Sequence, residues 1–362
     1  MFRSPQNYRT FLTVLMTYAL DLVGFSIFLL FLSAHLFGSP IAVPAEQFYR
    51  GLAKMRDHPG YYPLISYLDF RNLCDHIIDQ SSETFDPEAV QQGDLVYLNL
   101  WYIEWFQKEV HDRIKHPYIL VSGDVGALEP PLEIKKLLHD PKLAAWFCRN
   151  MAFSYHPKLF QIPFGQDLTP FDASIATKNE LLLANAKGSM PKKNLLYMAH
   201  YPRQFGDRDK IVKMFEHRPY CFSRNHSDQE WIFTPRPVFY EDMLSSLFVL
   251  SPIGLEADCV RTWEALILDC IPIVEHSFLD PLYEGLPIVK VHDWTEIDEP
   301  FLKRKYQELK NTSREKAYFD YWEPIVREVQ RKVKENDIAF SKLDATQFSQ
   351  QDLDDLKFIL KK

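Results

Sequence analysis

Residues 248–297 read FVLSPIGLEADCVRTWEALILDCIPIVEHSFLDPLYEGLPIVKVHDWTEI, and this stretch decides the fold. The apolar run Phe248-Val249-Leu250 stops at Ser251-Pro252-Ile253-Gly254, as a buried strand does when it empties into a loop. A helical period follows from about Asp258 to Cys270. At 100° per residue Val260, Trp263, Leu266, Ile267 and Cys270 share one side, and Arg261 with Glu264 the other. Asp258 is placed to cap the orphan amides of the first turn. Ile271-Pro272-Ile273-Val274 follows with almost no loop, and residues 287–291 form a third run after Gly285. Strand, helix, strand, short helix, strand predicts a parallel α/β unit. In such sheets ligands gather at the carboxyl ends of strands, where helix N-termini offer unpaired N–H groups to anions. Arg261 in the first turn suits a phosphate, and Glu264 one turn on suits a pair of ribose or sugar hydroxyls. A surface ion pair is the plainer account of the same three-residue spacing.

Upstream, residues 93–100 (GDLVYLNL) and 117–122 (PYILVS) read as strands, the second running into Gly123-Asp124-Val125-Gly126. Residues 101–114 and 141–150 read as helices, and 158–164 (KLFQIPF) as a strand before Gly165-Gln166-Asp167. The polar stretch 184–194, ANAKGSMPKKN, marks a domain boundary. A strand restarts over 195–198, and a loop from His200 through Arg203 and Asp207 to Arg208 feeds a helix over 209–217. Helices are expected over 294–311 and 314–333. In the second, Tyr318, Phe319, Trp322, Ile325, Val326 and Val329 form one apolar stripe, with a kink at Pro324. The expected units are therefore 1–40 (cytoplasmic tip and anchor), 41–185, 186–335 and a polar helical tail, 336–362. Asp207-Arg208-Asp209 and Asp352-Leu353-Asp354 both spell D-x-D. Neither follows directly on an apolar strand, and Asp is favoured at a helix start in any case, so no metal site is expected.

The chain has 362 residues, 46% hydrophobic and 25% charged, enough for two ordinary cores. A net charge of −8 gives nothing global to attract nucleic acid, so any phosphate site must be local. Cys74, Cys148, Cys221, Cys259 and Cys270 are odd in number and without a CxxC pair, which indicates neither zinc nor a full disulfide framework. Residues 22–38, LVGFSIFLLFLSAHLFG, continue the apolar run 10–20 past Asp21, together exceeding the ~20 residues that span a bilayer. The length favours an uncleaved anchor, although Val43-Pro44-Ala45 would serve as a cleavage site. Arg3 and Arg9 precede the span and no Lys or Arg follows until Arg50, which puts the N-terminus in the cytoplasm and the remainder on the other side, the Golgi lumen in a eukaryote. Asn225-His226-Ser227 and Asn311-Thr312-Ser313 are acceptor sequons compatible with that setting.

The chain resembles the exostosin-like glycosyltransferases, whose C-terminal half follows approximately S-P-R-G-x-G-x-D-x-x-R-x-x-E-A-L-x-x-G-C-I-P-I. Ser251, Pro252, Gly254, Asp258, Arg261, Glu264, Ala265, Leu266, Cys270, Ile271, Pro272 and Ile273 stand in register. Trp146, Phe147, Asn150, His156, Pro157, Lys158, Ile162, Pro163 and Gly165 match the N-terminal half, so the resemblance spans roughly residues 94–297. It implies an α/β protein of two Rossmann-like domains facing a cleft (GT-B-like). The implied activity is metal-independent transfer of a sugar from a nucleotide-sugar donor to a glycan or glycoconjugate acceptor. Arg261, with Arg203 and Arg208 in the first loop of the C-terminal domain, would face the donor diphosphate. Ser251, Gly254, Asp258 and Glu264 would complete the donor site. The base would come from the opposite domain: Asp124 first, then Asp167 and His156. Ile253, Glu256 and Asp269 depart from the family's Arg, Gly and Gly. Losing one cation and gaining two carboxylates leaves open a catalytically inactive module that binds a glycan or partner.

Overall fold

The computed structural model describes residues 62–79, 85–123, 137–150, 156, 158–166, 180–182, 184–185, 190–200, 207–224, 234–254 and 256–336. The tail beyond Asn336 falls outside them, and so do the candidate site residues Asp124, Asp167 and Arg203. The anchor and Asn225-His226-Ser227 also lie outside the described residues, whereas Asn311-Thr312-Ser313 lies within them. Among the described residues no helix is long and apolar enough to cross a membrane.

The chain is a mixed α/β protein with two parallel five-stranded sheets. The first has the sequential order β1 (His76–Ile78), β2 (Leu95–Leu98), β3 (Tyr118–Ser122), β4 (Leu143–Cys148), β5 (Leu159–Gln161). The second holds β6 (Asn194–Met198), β7 (Cys221–Ser223), β8 (Ser246–Leu250), β9 (Ile271–Glu275) and β10 (Val289–Val291), in the order β10-β9-β8-β6-β7. Helices of six residues or more are α1 (Tyr67–Asn72), α2 (Arg208–Phe215), α3 (Arg236–Leu244), α4 (Val260–Ile267), α5 (Glu299–Leu309) and α6 (Phe319–Lys334).

Side-chain alternation on the strands builds the layers. Leu196, Met198, Phe248, Leu250, Ile271 and Ile273 face α2 and α5. Tyr197 and Val249 point the other way, towards α3 and α4, into a core shared with the first sheet. That shared core also takes Tyr97, Ile119, Val121 and Phe147 with α1 and the stripe Phe319, Trp322, Val326, Val329 and Val333 of α6. The far face of the first sheet packs on an irregular helical run over residues 100–113 through Ile103, Phe106 and Val110. The last described helix thus returns to the first sheet, where Gln330 Nε2 donates to Asp75 Oδ2 at 2.9 Å and Gln92 Nε2 to the Val333 carbonyl at 2.9 Å.

One predicted element is wrong in kind. Residues 141–150, expected as a helix, contain strand β4, and every residue of Leu143–Cys148 is buried. A parallel strand covered on both faces has no polar side, so its sequence, LAAWFC, shows no alternation to separate it from a buried helix.

Candidate functional site

The order β10-β9-β8-β6-β7 reverses direction between β6 and β8. At such a switch point the loops leaving two neighbouring strands diverge to opposite faces and open a crevice at their carboxyl ends. β6 runs into Ala199 and His200, and β8 into Ser251, Pro252, Ile253 and Gly254. Ser251 continues the sheet by donating its amide to the Ile273 carbonyl at 2.9 Å, and its hydroxyl lies 2.9 Å from that of Thr262 on α4. Arg208, at the start of α2, donates from Nε to the Ile253 carbonyl at 2.9 Å and from Nη2 to the Pro252 carbonyl at 3.2 Å. A Cβ on Gly254 would sit 2.7 Å from Arg208 Nη2, so a larger residue there would move that guanidinium. Arg261, second residue of α4, donates from Nη2 to the Ala199 carbonyl at 3.1 Å, while its buried Nε has no partner.

His200 lies within reach of both charges. It is 2% exposed, and among the described residues neither ring nitrogen has a hydrogen-bond partner. Burial, then the charges of Arg261 and Arg208, hold its pKa well below the ordinary histidine range; the Arg208 backbone pulls the other way without closing a hydrogen bond. Arg208 is itself pushed down to about 10, by burial first and by Arg261 second. Sequence reading had Arg208 and Arg261 as cations of one site, and the structure brings them together. It had passed over His200, whose signal was a polar residue placed directly after a strand.

Three expectations need correction. Asp258 does not cap α4: the cap is Cys259, without a side-chain bond, and the helix spans Val260–Ile267 rather than 258–270. Asp258 is fully buried and faces away from the crevice, accepting from the Phe164 amide at 2.7 Å, Trp263 Nε1 at 2.9 Å and Tyr283 Oη at 2.8 Å. Glu264 is not on an open helix face. It is 7% exposed and accepts a hydrogen bond from Tyr240 Oη at 2.9 Å. His156 precedes β5 and so lies at the amino edge of the first sheet, beside His139, not at the carboxyl ends that face a cleft.

The residues that depart from the resembled pattern fall in different places. Glu256 accepts from Asn150 Nδ2 and lies 3.4 Å from Arg149 Nη2, both at the end of β4. Asp269 ends α4 with φ 54°, and its carboxylate pairs with Arg314 at 2.9 Å. Ile253 is 37% exposed beside Arg208. Past β9 and β10, His276 and His292 stack at 3.9 Å, with His276 Nδ1 2.5 Å from Asp280 Oδ2. A surface pocket lined by Lys193, Tyr220, Phe222 and Lys303 opens at the opposite, amino edge of the second sheet, away from the cations. Among the described residues no group of three or more His, Cys, Asp or Glu side chains is arranged to hold a metal ion. No protein-family model matches the chain, and no curated protein matches it.

Proposed function

We propose that the chain is a membrane-anchored glycosyltransferase of two Rossmann-like domains facing a cleft, which transfers a sugar from a nucleotide-sugar donor to a glycan or glycoconjugate acceptor. The observation that carries the reading is the positive charge at the β6–β8 switch point, where Arg208 and Arg261 both act on His200 and form no ion pair among the described residues. Two guanidiniums at carboxyl strand ends, without a carboxylate partner among the described residues, match the charge that grows on a departing nucleoside diphosphate. In this reading they take the role a metal would otherwise have, and no cofactor is invoked. Ser251 and Gly254 shape the wall of the donor site, the edge of Glu264 left exposed beside Tyr240 meets the ribose hydroxyls, and Arg203 serves the diphosphate. The acceptor hydroxyl loses its proton to a carboxylate of the first half, Asp124 or Asp167. The resemblance to exostosin-like glycosyltransferases supports this assignment. The run at 22–38 would hold the catalytic part on the non-cytoplasmic side of the membrane.

Loss of activity, the rival reading, drew on three departures, and two of them lose force. Glu256 spends its charge on Arg149 and Asn150, and Asp269 lies at the far end of α4 beside Arg314. Ile253 alone leaves the crevice a cation short, and it is the observation that favours a non-catalytic binding module.

Titration calorimetry of the full chain with a nucleoside diphosphate tests the site. Arg261→Ala removes a charge-assisted contact and should weaken binding about 10- to 150-fold, while Arg261→Lys restores part of it. Glu264→Gln keeps an acceptor for Tyr240 and should cost about tenfold in affinity. Wild-type affinity in Arg261→Ala sinks the assignment.

A further inference from the structure

His200 has a local environment with one gap in it. The ring follows β6 and Ala199 at the switch point, is almost fully enclosed, and among the described residues neither nitrogen closes a hydrogen bond, although the Arg208 backbone is turned towards it. A neutral imidazole carries one donor and one acceptor, and burying both unmatched is unfavourable unless something else meets them. The titratable groups around it are Arg208 on α2, Arg261 on α4 and, beyond the two guanidiniums, the Cys259 thiol. Among the described residues no carboxylate forms an ion pair with the ring. With the two guanidiniums alone beside it the imidazole is neutral, because a third cation would be repelled by two and desolvated as well. An anion seated between the guanidiniums reverses that balance. It cancels the repulsion and offers acceptor oxygens, for which a doubly donating imidazolium is the better match.

We propose that His200 is a phosphate-binding residue, which takes a proton from solvent as a diphosphate seats between Arg208 and Arg261 and then donates to a phosphoryl oxygen. The inference rests on the diphosphate reading of the crevice. It adds that the anion is captured together with a proton, so that affinity falls as pH rises through the neutral range and a product diphosphate leaves more readily in a less acidic medium.

Inorganic pyrophosphate is the probe, titrated calorimetrically into the full chain at pH 7 in PIPES and in Tris, buffers of different ionisation enthalpy. The dependence of the heat on the buffer counts protons exchanged on binding, and His200→Gln supplies the baseline for pyrophosphate's own ionisation. The wild type is expected to take up as much as one proton more per pyrophosphate than His200→Gln. Its affinity should fall up to about tenfold per pH unit relative to the variant between pH 6 and 8. At pH 6 the variant should bind about tenfold more weakly. Equal proton counts and equal affinities in the two proteins overturn the role of His200 while leaving the diphosphate site intact. That result would point to a trapped water as the ring's partner. Absence of pyrophosphate binding by the wild type overturns both readings. If His200→Gln does not fold, the wild type alone decides: proton exchange equal to that expected from pyrophosphate's own ionisation refutes the proposal.

Discussion

The two sheets have the same number of strands and the same all-parallel pairing, yet their carboxyl edges are put to different uses. In the second sheet the strand order reverses between β6 and β8 and the loops part there. Buried polar atoms without a partner among the described residues occur near both edges, His200 Nδ1 and Nε2 and Arg261 Nε at this one and Gln166 Nε2 and Oε1 past β5 at the other, but here they lie under the charge of two guanidiniums. In the first sheet the order is sequential, without the reversal that parts neighbouring loops. Where β4 ends, that edge is braced within the sheet and by the other half of the chain. Trp146 Nε1 donates to Ser122 Oγ at 2.8 Å, the Asp258 amide donates to Asn150 Oδ1 at 2.8 Å, and Asn150 and Arg149 meet Glu256. Arg149, 1% exposed, also lies over the Phe164 ring at 4.0 Å. Strand order, not strand composition, separates a site from a brace. Substitutions at the first edge should lower stability and spare anion binding, and those around His200 and Arg261 should do the reverse.

The largest effect on stability is expected at Asp258, the centre of the brace. Asp258→Ala leaves the Phe164 amide, the Trp263 indole and the Tyr283 hydroxyl as buried donors without an acceptor, and should cost about 3 kcal/mol or more in denaturant unfolding. The pH profile carries a second signature. Burial raises the Asp258 pKa from 3.8 to about 6, against the pull of the Phe164 amide, Tyr283, Trp263 and Arg149. The folded chain then holds this proton more tightly than the unfolded one. The contribution of Asp258 to stability therefore falls as pH rises from about 4 to 6, by about 3 kcal/mol, opposite to a carboxylate whose pKa is depressed. Asp258→Ala should abolish that slope. A variant as stable as wild type, or one with the slope retained, would remove Asp258 from the brace.

Glu256 comes next. Glu256→Gln keeps an acceptor for Asn150 but withdraws the negative charge facing a guanidinium that water does not reach. The cost should be about 1–2 kcal/mol, since the Phe164 and Tyr67 rings share the task of stabilising Arg149. Diphosphate affinity should stay within twofold of wild type. A gain in affinity of tenfold would show instead that Glu256 repels the anion, and the division between the two edges would fail.

Much of the second sheet was legible because β6, β8 and β9 are short apolar runs ended by loop residues, and α4 carries a clear helical period. β7 escaped notice: three half-buried residues, Cys221–Ser223, are too few to show a pattern. α3 escaped as well, because its buried residues Tyr240, Asp242, Met243 and Leu244 mix polar with apolar. At the site, Arg261 and Arg208 could be read from position after a strand. The fate of Asp258 could not. A short carboxylate before a helix is a natural cap, and only a backbone amide 94 residues away, at Phe164, redirects it. Glu264 was placed on an open face by a wheel that shows only its own helix, and it was Tyr240 of α3 that closed over it.

The smallest expected effect belongs to Asp269, and it tests whether the far end of α4 belongs to either edge. α4 ends in a Schellman turn: the Cys270 amide donates to the Ala265 carbonyl at 2.9 Å and the Asp269 amide to that of Leu266 at 3.4 Å, which requires the left-handed φ of 54° at residue 269. Glycine takes that conformation without the Cβ contact that costs other residues about 1 kcal/mol, although Asp tolerates it better than most. Against this, Asp269→Gly gives up the pair with Arg314, whose Asp side chain is 54% exposed, so the loss is about 0–1 kcal/mol. The two terms nearly cancel, and the melting temperature should move by no more than a few degrees in either direction. Eight residues of helix, about 12 Å, separate this turn from Arg261, so diphosphate affinity and its proton uptake should not change. A clear loss of affinity in Asp269→Gly would mean that the carboxylate acts through the helix on the crevice, and that residue 269 is more than a helix stop.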